Sequence, residues 1–283
     1  MSNPIALDGD WLEGQNMAKL INLHNPNSIA DHRPIMIAHR GGAIATGAPE
    51  NSLRAIELAA VQGYDMVELD LRRAKDGVPV LFHGHGSRGG MLVDCGVAAN
   101  IEDFTSAELA AITYRGTSQS IITFEAALKL CKQLNLGIML DIKTPDAAPL
   151  ATDYLLRITA LLEQYDLTHA MMTLCTRPEA RQLLPSTTLW PIRARNLQTA
   201  LDGDHSLHGH FWFDDPASAT DEQIRQLSRR GALTIACLNS FRYPHHSFNT
   251  LERVDAERMK AVPVDGFQID SCYGEFFEKL AQS

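Results

Sequence analysis

The sequence predicts an α/β fold: a TIM barrel, (β/α)8, with a small insertion after the second strand. Three observations carry that expectation. Apolar runs of strand length start at positions 35, 66, 138, 169, 189, 210, 233 and 266, and most lead into a segment of helical period. Three of the runs end in charged residues, namely His39 and Arg40, Glu68 and Asp70, and Asp141 and Lys143. Barrel strands gather such groups at their C-terminal ends. A further run, Pro79–His83, begins only a handful of residues after the second strand. A parallel crossover takes about a dozen residues or more, so this run is a hairpin partner or part of an excursion from the barrel top. A doubly wound open sheet is the competing architecture, and it more often has fewer strands.

The elements follow in order. Residues 1–34 are weakly periodic; Trp11, Met17, Leu20, Ile21 and Leu23 suggest a short helix over one end of the barrel, followed by a turn at Asn25, Pro26 and Asn27. The first strand, 35–40, runs into a loop with Gly41, Gly42, Gly47 and Pro49. Asn51 or Ser52 then caps a helix that buries Leu53, Ile56, Ala59 and Ala60 and stops at Gly63. In the second strand, Met66–Leu71, Val67, Leu69 and Leu71 point one way and Glu68 and Asp70 the other. Residues 72–120 form the excursion. It holds a turn at Asp76–Gly77, a Gly-rich stretch at 84–104 that reads as a long exposed loop, and a short helix at Ser106–Ile112. A helix at Thr123–Leu134 leads into regular alternation: strand 138–143, helix 150–164, strand 169–175, helix 178–184. Strand 189–194 is followed by an irregular His-rich link, then strand 210–214, helix 220–230, strand 233–239 and helix 250–260. Strand Gly266–Asp270 and a terminal helix from Glu275 end a chain that reads as a single domain over residues 1–283.

Composition narrows the partners. With 25 Lys+Arg against 34 Asp+Glu, a net charge of −9 disfavours nucleic acid and anionic membrane, but leaves room for a small phosphate-containing substrate. No uncharged stretch is long enough to span a membrane, so no stable membrane insertion is expected. No signal peptide is evident, and the five scattered cysteines lack a Cys-x-x-Cys pair, which fits reduced thiols in the cytoplasm. The oligomeric state is open.

The charged strand ends are the candidates for chemistry. Glu68, Asp70 and Asp141 are an oxygen-only set that suits one divalent cation, Mg²⁺, Ca²⁺ or Mn²⁺; the alternative is an ion-pair network with Arg40, Arg72 or Lys143. His39 and His83 close two apolar runs and are either acid–base groups or semi-buried structural histidines. The Arg40 fork suits phosphate or pairs with Glu68 or Glu50. Glu50 either favours the helix start through the dipole or reaches into the site. Lys143 balances the acids or meets an anionic substrate oxygen. His83–Gly84–His85 and the His205, His208, His210 group invite a zinc reading, though neither has cysteines at ligand spacing. Gly84, Gly86, Gly89 and Gly90 with Arg88 match no P-loop or dinucleotide fingerprint, and Cys95 has no base placed beside it.

These residues resemble the glycerophosphodiester phosphodiesterase family. The matches are His39–Arg40–Gly41, Pro49–Glu50–Asn51–Ser52, Glu68–Leu69–Asp70, Lys75 through His83, and Asp141–Ile142–Lys143, with fainter ones at Leu238–Asn239 and Gly266–Asp270. The resemblance implies a TIM barrel with a small insertion after the second strand. It implies a divalent ion on Glu68, Asp70 and Asp141, acid–base roles for His39 and His83, and phosphate contacts from Arg40 and Lys143. Glu50, His85 and Asn239 are supporting candidates, His85 as the replacement for His83. Three positions depart from the pattern: Gly84 stands where Asp usually follows the second histidine, Asp141 stands for Glu, and Ala236–Cys237–Leu238–Asn239 stands for Trp-Thr-x-Asn. The implied activity is cleavage of a glycerophosphodiester to glycerol phosphate and an alcohol through a cyclic phosphate. The alternatives are a lyase or hydrolase acting on a lysophospholipid or phospho-sugar, and an inactive barrel that binds a phosphorylated ligand.

Overall fold

The computed structural model describes residues 19–42, 48–86, 88–143, 149–243 and 250–280. Its strands are β1 (Ile35–Ala38), β2 (Met66–Arg73), β3 (Pro79–Leu81), β4 (Gly137–Ile142), β5 (Met171–Thr173), β6 (Trp190–Ile192), β7 (His210–Asp214), β8 (Leu233–Leu238) and β9 (Gly266–Ile269). All but β3 lie parallel in the order β5-β4-β2-β1-β9-β8-β7-β6. A parallel bridge between Met172 and Leu189 brings the two ends of that row together, giving a near-closed eight-stranded (β/α)8 barrel. Barrel strands are covered on both faces, which is why they appear in the sequence as nearly unbroken apolar runs. β3 runs antiparallel to β2 with Leu81 opposite Leu71, as the short gap between them requires.

The pleat sorts the side chains. Ile35, Ile37, Met66, Met139, Met172, Phe211, Ile235 and Cys237 fill the lumen. Met36, Ala38, Val67, Leu69, Leu71, Ile138 and Leu140 point outward to the helices. Glu68 and Asp70 share the face of Met66 and therefore stand in the lumen above it.

The helices are α1 (Pro26–His32), α2 (Leu53–Val61), α3 (Ser106–Leu109), α4 (Phe124–Gln133), α5 (Thr152–Gln164), α6 (Pro178–Leu183), α7 (Ala194–Asp202), α8 (Asp221–Arg229) and α9 (Leu251–Lys260). Their starts are chemically marked: Ser52 accepts from the Ala55 N–H, Thr123 from Ala126, and Thr220 forms a capping box with Gln223. None of the described helices is long and apolar enough to cross a membrane.

Five local expectations are corrected. Asn25 is not a turn but the cap of α1, its side chain accepting from Asn27 and Ser28 N–H, with Pro26 at the first helical position. Leu20, Ile21 and Leu23 are not helical; Ile21 and Leu23 plug the lower end of the lumen from an irregular segment, while Trp11 and Met17 lie outside the described residues. The stretch after β6 is the helix α7, and the histidines come only after it. The terminal segment turns as a 3-10 helix over Ser271–Phe276 rather than an α-helix from Glu275. The stretch at 84–104 is not simply an exposed loop. Met91 and Ile101 are fully buried and join Ala74, Val80, Phe82, Leu109, Tyr114 and Ile121 in a small core separate from the barrel's.

Candidate active site

The β2–β4 register sets Asp70 directly beside Asp141, with Glu68 two residues below on the same face. The three offer carboxylate oxygens that all lie within 4.8 Å of one another. Glu68 and Asp70 are each 1% exposed. Burial, and next the Asp70 and Asp141 charges, hold the Glu68 carboxyl well above its usual range. Burial also opposes the Asp70 charge, but Lys143, His83 and Arg40 face it and hold its pKa below the usual value. Lys143 Nζ lies 3.0 Å from Asp70 and 2.5 Å from Asp141. The ion-pair network anticipated for these acids is therefore present, with Lys143 as its nearer cation and Arg40 Nε at 3.9 Å from Asp70. Two fully buried carboxylates and a third beside them remain a surplus of negative charge, and every donor is a hard oxygen. The set fits a divalent ion.

The turn after β1 brings in the next groups. Arg40 adopts φ +52°, followed by Gly41 at +79° and Gly42 at +89°, so the chain doubles back and the Arg40 N–H donates to Glu68 Oε2 at 2.9 Å. The Arg40 guanidinium donates to Glu50 at 2.7 Å and to His83 Nε2 at 2.9 Å. Its Nε is buried and makes no hydrogen bond. Glu50 is thus the counter-ion of Arg40; its carboxyl is pushed up by burial and pulled back by Arg40. Asn51, also at positive φ, ties the start of α2 to β2. Its amide donates to Asp70 Oδ2 at 2.8 Å and its carbonyl accepts the Asp70 N–H at 3.0 Å.

The two histidines are held differently. His39 Nδ1 lies 2.6 Å from Asp270 Oδ1, and Nε2 faces Glu68 Oε2 at 3.9 Å. Burial would raise the Asp270 carboxyl, but the bonds from His39 and from the Ser240 N–H outweigh it and keep its pKa low. His83 hangs from the end of the β3 run. Arg72 grips its carbonyl with Nε at 2.9 Å and Nη2 at 2.7 Å, and the Phe82 N–H donates to the Asp70 carbonyl at 3.0 Å. A guanidinium only donates, so the Arg40 contact requires a lone pair on His83 Nε2, that is, a neutral ring. Burial, with Arg40, Lys143 and Arg72 nearby, lowers the His83 pKa to about 4 against the pull of Asp70.

Two site residues escaped the sequence reading. Asp270, which orients His39, directly follows β9 as a lone acid after a mostly apolar run, the same signal that marked the other strands. The sequence marks Asn51 as a helix cap and as part of the Pro49–Ser52 match, but not as a partner of Asp70. Among the supporting candidates, His85 is 60% exposed in its side chain and turned to Asp94 at 3.6 Å, away from the carboxylates. Asn239 donates to Gln268 in β9 at 3.1 Å and not to the acids. His205, His208 and His210 form no ligand cluster; among the described residues only Glu68, Asp70 and Asp141 do. Gly84 has a steric reason. At φ +64°, an added Cβ would come within 2.7 Å of Phe82 Cε1 and 2.8 Å of Gly89 Cα, so no aspartate fits there.

Above these groups opens a cleft of about 590 Å³. His39, Arg40, Glu50 and Asp270 line its barrel side; Val93, Asp94, Tyr114 and Arg115 line its excursion side, and Phe241 stands on the lip.

A sequence model of the glycerophosphoryl diester phosphodiesterase family matches residues 39–183, just over half of the chain, and so includes His39, Arg40, Glu50, Glu68, Asp70, Arg72, His83, Asp141 and Lys143 but not Asp270. The chain belongs to that family. It is similar to glycerophosphodiester phosphodiesterase 1 of mouse and of human, 36% identical to each over 112 residues, which is 38% of this chain. The match spans about a third of the length of those relatives, 33% in each. The fold recurs in a glycerophosphodiester phosphodiesterase from Agrobacterium tumefaciens, with a TM-score of 0.65 at 18% identity over 83% of this chain and 95% of that one. It recurs also in a phosphodiesterase from Oleispira antarctica crystallised with the product sn-glycerol-3-phosphate, with a TM-score of 0.62 at 20% identity over 86% of this chain and 95% of that one.

Proposed function

We propose that the protein is a metal-dependent phosphodiesterase that cleaves a glycerophosphodiester to glycerol phosphate and an alcohol, with His39 and His83 moving the protons. The observation that carries this reading is the meeting, at one barrel mouth, of three close carboxylates, two histidines, and the cations Arg40 and Lys143. Family membership supports it.

A divalent cation, Mg²⁺ or Ca²⁺ with Mn²⁺ also suited, would be held by Glu68, Asp70 and Asp141 and would supply positive charge beside the phosphodiester oxygens. Arg40 and Lys143 add donors to the same oxygens. With Nδ1–H on Asp270, His39 keeps a lone pair at Nε2 and takes the proton of an inner glycerol hydroxyl; Asp270 steadies the imidazolium that forms. The hydroxyl oxygen bonds to phosphorus while the bond from phosphorus to the alcohol oxygen breaks. His83 gives its proton to that departing oxygen. In the free site Arg40 keeps His83 neutral. A phosphodiester that draws Arg40 away and sets a negative charge beside the ring favours the protonated form. The cyclic phosphate is then opened by water with the histidine roles exchanged.

We treat residues 1–283 as one barrel domain and 72–120 as an excursion within it, and we place the protein in the cytoplasm. Five unpaired cysteines support that compartment.

The test is a panel of glycerophosphodiesters assayed with and without chelator, with products followed by phosphorus NMR. Turnover is expected to vanish with chelator and return with Mg²⁺ or Ca²⁺. Asp70→Asn is expected to weaken ion binding by calorimetry and to slow turnover about 10²–10³-fold while the fold persists. Chelator-resistant turnover would sink the metal assignment, and cyclic phosphate as the end product would make the enzyme a lyase.

A further inference from the structure

The cleft reaches well past the reacting groups. Its far wall belongs to the excursion and presents Tyr114, Arg115 and Asp94. Other arginines near this end of the barrel have polar partners: Arg40 pairs with Glu50, Arg88 with Glu102 and Asp103, Arg242 with Asp214 and Asp215, and Arg193 donates to the Phe213 carbonyl at 3.4 Å. Arg115 is different. Among the described residues its guanidinium has neither an ion pair nor a hydrogen bond, in a chain whose net charge is −9. A cation without a counter-ion, on the wall of a cleft in an acidic protein, marks a place where a negative group is stabilised.

The side chain is nonetheless seated. Its guanidinium lies against Gly96, where an added Cβ would stand 3.0 Å from Nε and 3.1 Å from Nη2. The Arg115 N–H donates to the Asp94 carbonyl at 2.8 Å, which fixes the base of the side chain. The Asp94 carboxylate is turned to His85 at 3.6 Å and forms no ion pair with Arg115. Next to Arg115 in the chain, the Tyr114 hydroxyl is buried and has no hydrogen-bond partner. Among the described residues, the excursion therefore presents on this wall one exposed cation that is held at its base and has no ion pair.

We propose that Arg115 is the cation of a subsite for a second negative charge, a carboxylate or a phosphate, carried by the alcohol half of the substrate. This rests on the phosphodiesterase reading above. The glycerol half is three carbons long and is confined to the neighbourhood of His39 and the carboxylates, so the half that extends to the excursion wall is the alcohol. A guanidinium matches carboxylate and phosphate alike through its planar fork.

The experiment compares three substrates with the wild type, Arg115→Gln and Arg115→Lys. The alcohol is serine, which carries a carboxylate; glycerol 3-phosphate, which carries a phosphate monoester; or choline, which carries only a cation. Arg115→Gln is expected to lower kcat/KM about 10–100-fold on one or both anionic substrates, with the choline substrate little changed. Arg115→Lys is expected to recover part of the loss, because it keeps the charge and gives up the fork. Whichever anionic substrate falls names the group. Equal losses on all three substrates, or none on either anionic one, would overturn the proposal. So would a wild type whose kcat/KM rises with an added acyl chain and ignores Arg115, which would give the wall to Val93 and Phe241. Absence of wild-type turnover on every substrate would count against the phosphodiesterase reading instead. Calorimetry of glycerophosphoserine and of the phosphate-bearing diester against wild type and Arg115→Gln would then decide the subsite, and equal dissociation constants or no binding would remove it.

Discussion

The two regions that meet at the cleft, the barrel mouth and the excursion, are fixed by different forces. On the barrel side His39, Glu68, Asp70, Asp141 and Asp270 stand at or near the ends of strands whose neighbours are hydrogen-bonded on both sides and whose surroundings are close to fully buried. On the excursion side His83 depends on the three-residue strand β3, on an eight-residue core, and on the grip of Arg72 on its carbonyl. The first region holds side chains by a ladder repeated around the molecule. The second holds one by a few contacts that single substitutions can remove. Rigid strands suit the charges, which must stay close against their repulsion. A smaller unit suits the groups that meet the variable part of a substrate.

The sharpest way to break this comparison is to separate the two histidines. His39→Ala and His83→Ala are each expected to lower kcat/KM on natural alcohols by about 10²–10⁴ while the divalent ion still binds. An activated substrate, the p-nitrophenyl diester of glycerol phosphate, needs no protonation of its leaving group. It is expected to restore much of the His83→Ala rate and little of the His39→Ala rate. Restoration of His39→Ala alone would exchange the assigned roles, and full activity in either variant would take that histidine out of the reaction.

A smaller effect is expected at the clamp. Arg72→Gln leaves every group at the barrel mouth in place but frees the His83 carbonyl, and a loss of about 10–100-fold in kcat/KM is expected with ion affinity unchanged. Amide hydrogen exchange should rise in residues 79–104 and not in β1 or β9. Unchanged rates on both counts would show that the small core alone positions His83.

The smallest effect tests how the excursion is tied down at its base. Burial opposes the Asp76 charge slightly, but the Ser106 hydroxyl at 2.8 Å, the Ser106 N–H and the Val78 N–H hold its pKa below the ordinary carboxylate value. A depressed carboxyl adds stability that is present above its unfolded pKa and lost as pH falls through the folded one. Because Asp76 is exposed, solvent screens this effect; Asp76→Asn is therefore expected to cost at most about 0.5 kcal/mol at pH 7, and the difference from wild type should shrink as pH approaches about 3. Urea midpoints for the two proteins at both pH values measure this, and a gap that widens in acid would refute it.

The barrel was legible in the sequence because strands covered on both faces leave apolar runs that stop where the site begins. All eight parallel strands start within two residues of where those runs do. The carboxylates could be found for the same reason, since Glu68 and Asp70 interrupt an apolar strand with period two. What escaped had no such period. The excursion core draws on Ala74, Met91, Ile101, Leu109, Tyr114 and Ile121, which are scattered over nearly fifty residues with turns between them. Helix α7 buries only Leu197 and has no side-chain cap, so neither its face nor its start carries a mark. Asp270 carried the right mark, but its partner lies 231 residues away, and no local pattern predicts that distance.

The barrel wall is continuous except between β5 and β6, where a parallel bridge at Met172 and Leu189 and the bond from Thr173 N–H to the Leu189 carbonyl at 3.2 Å join its ends. Mechanically the molecule is a split ring. Such a ring yields first at its gap, and the movement decays with distance around the circumference. β1, β2 and β9, which present His39, Glu68, Asp70 and Asp270, sit opposite the gap, whereas β4 is a single strand away from it. Breathing at the seam would therefore reach Asp141 before Glu68 or Asp70, making it the gap-side jaw of the set and the one through which thermal opening of the wall would loosen an ion.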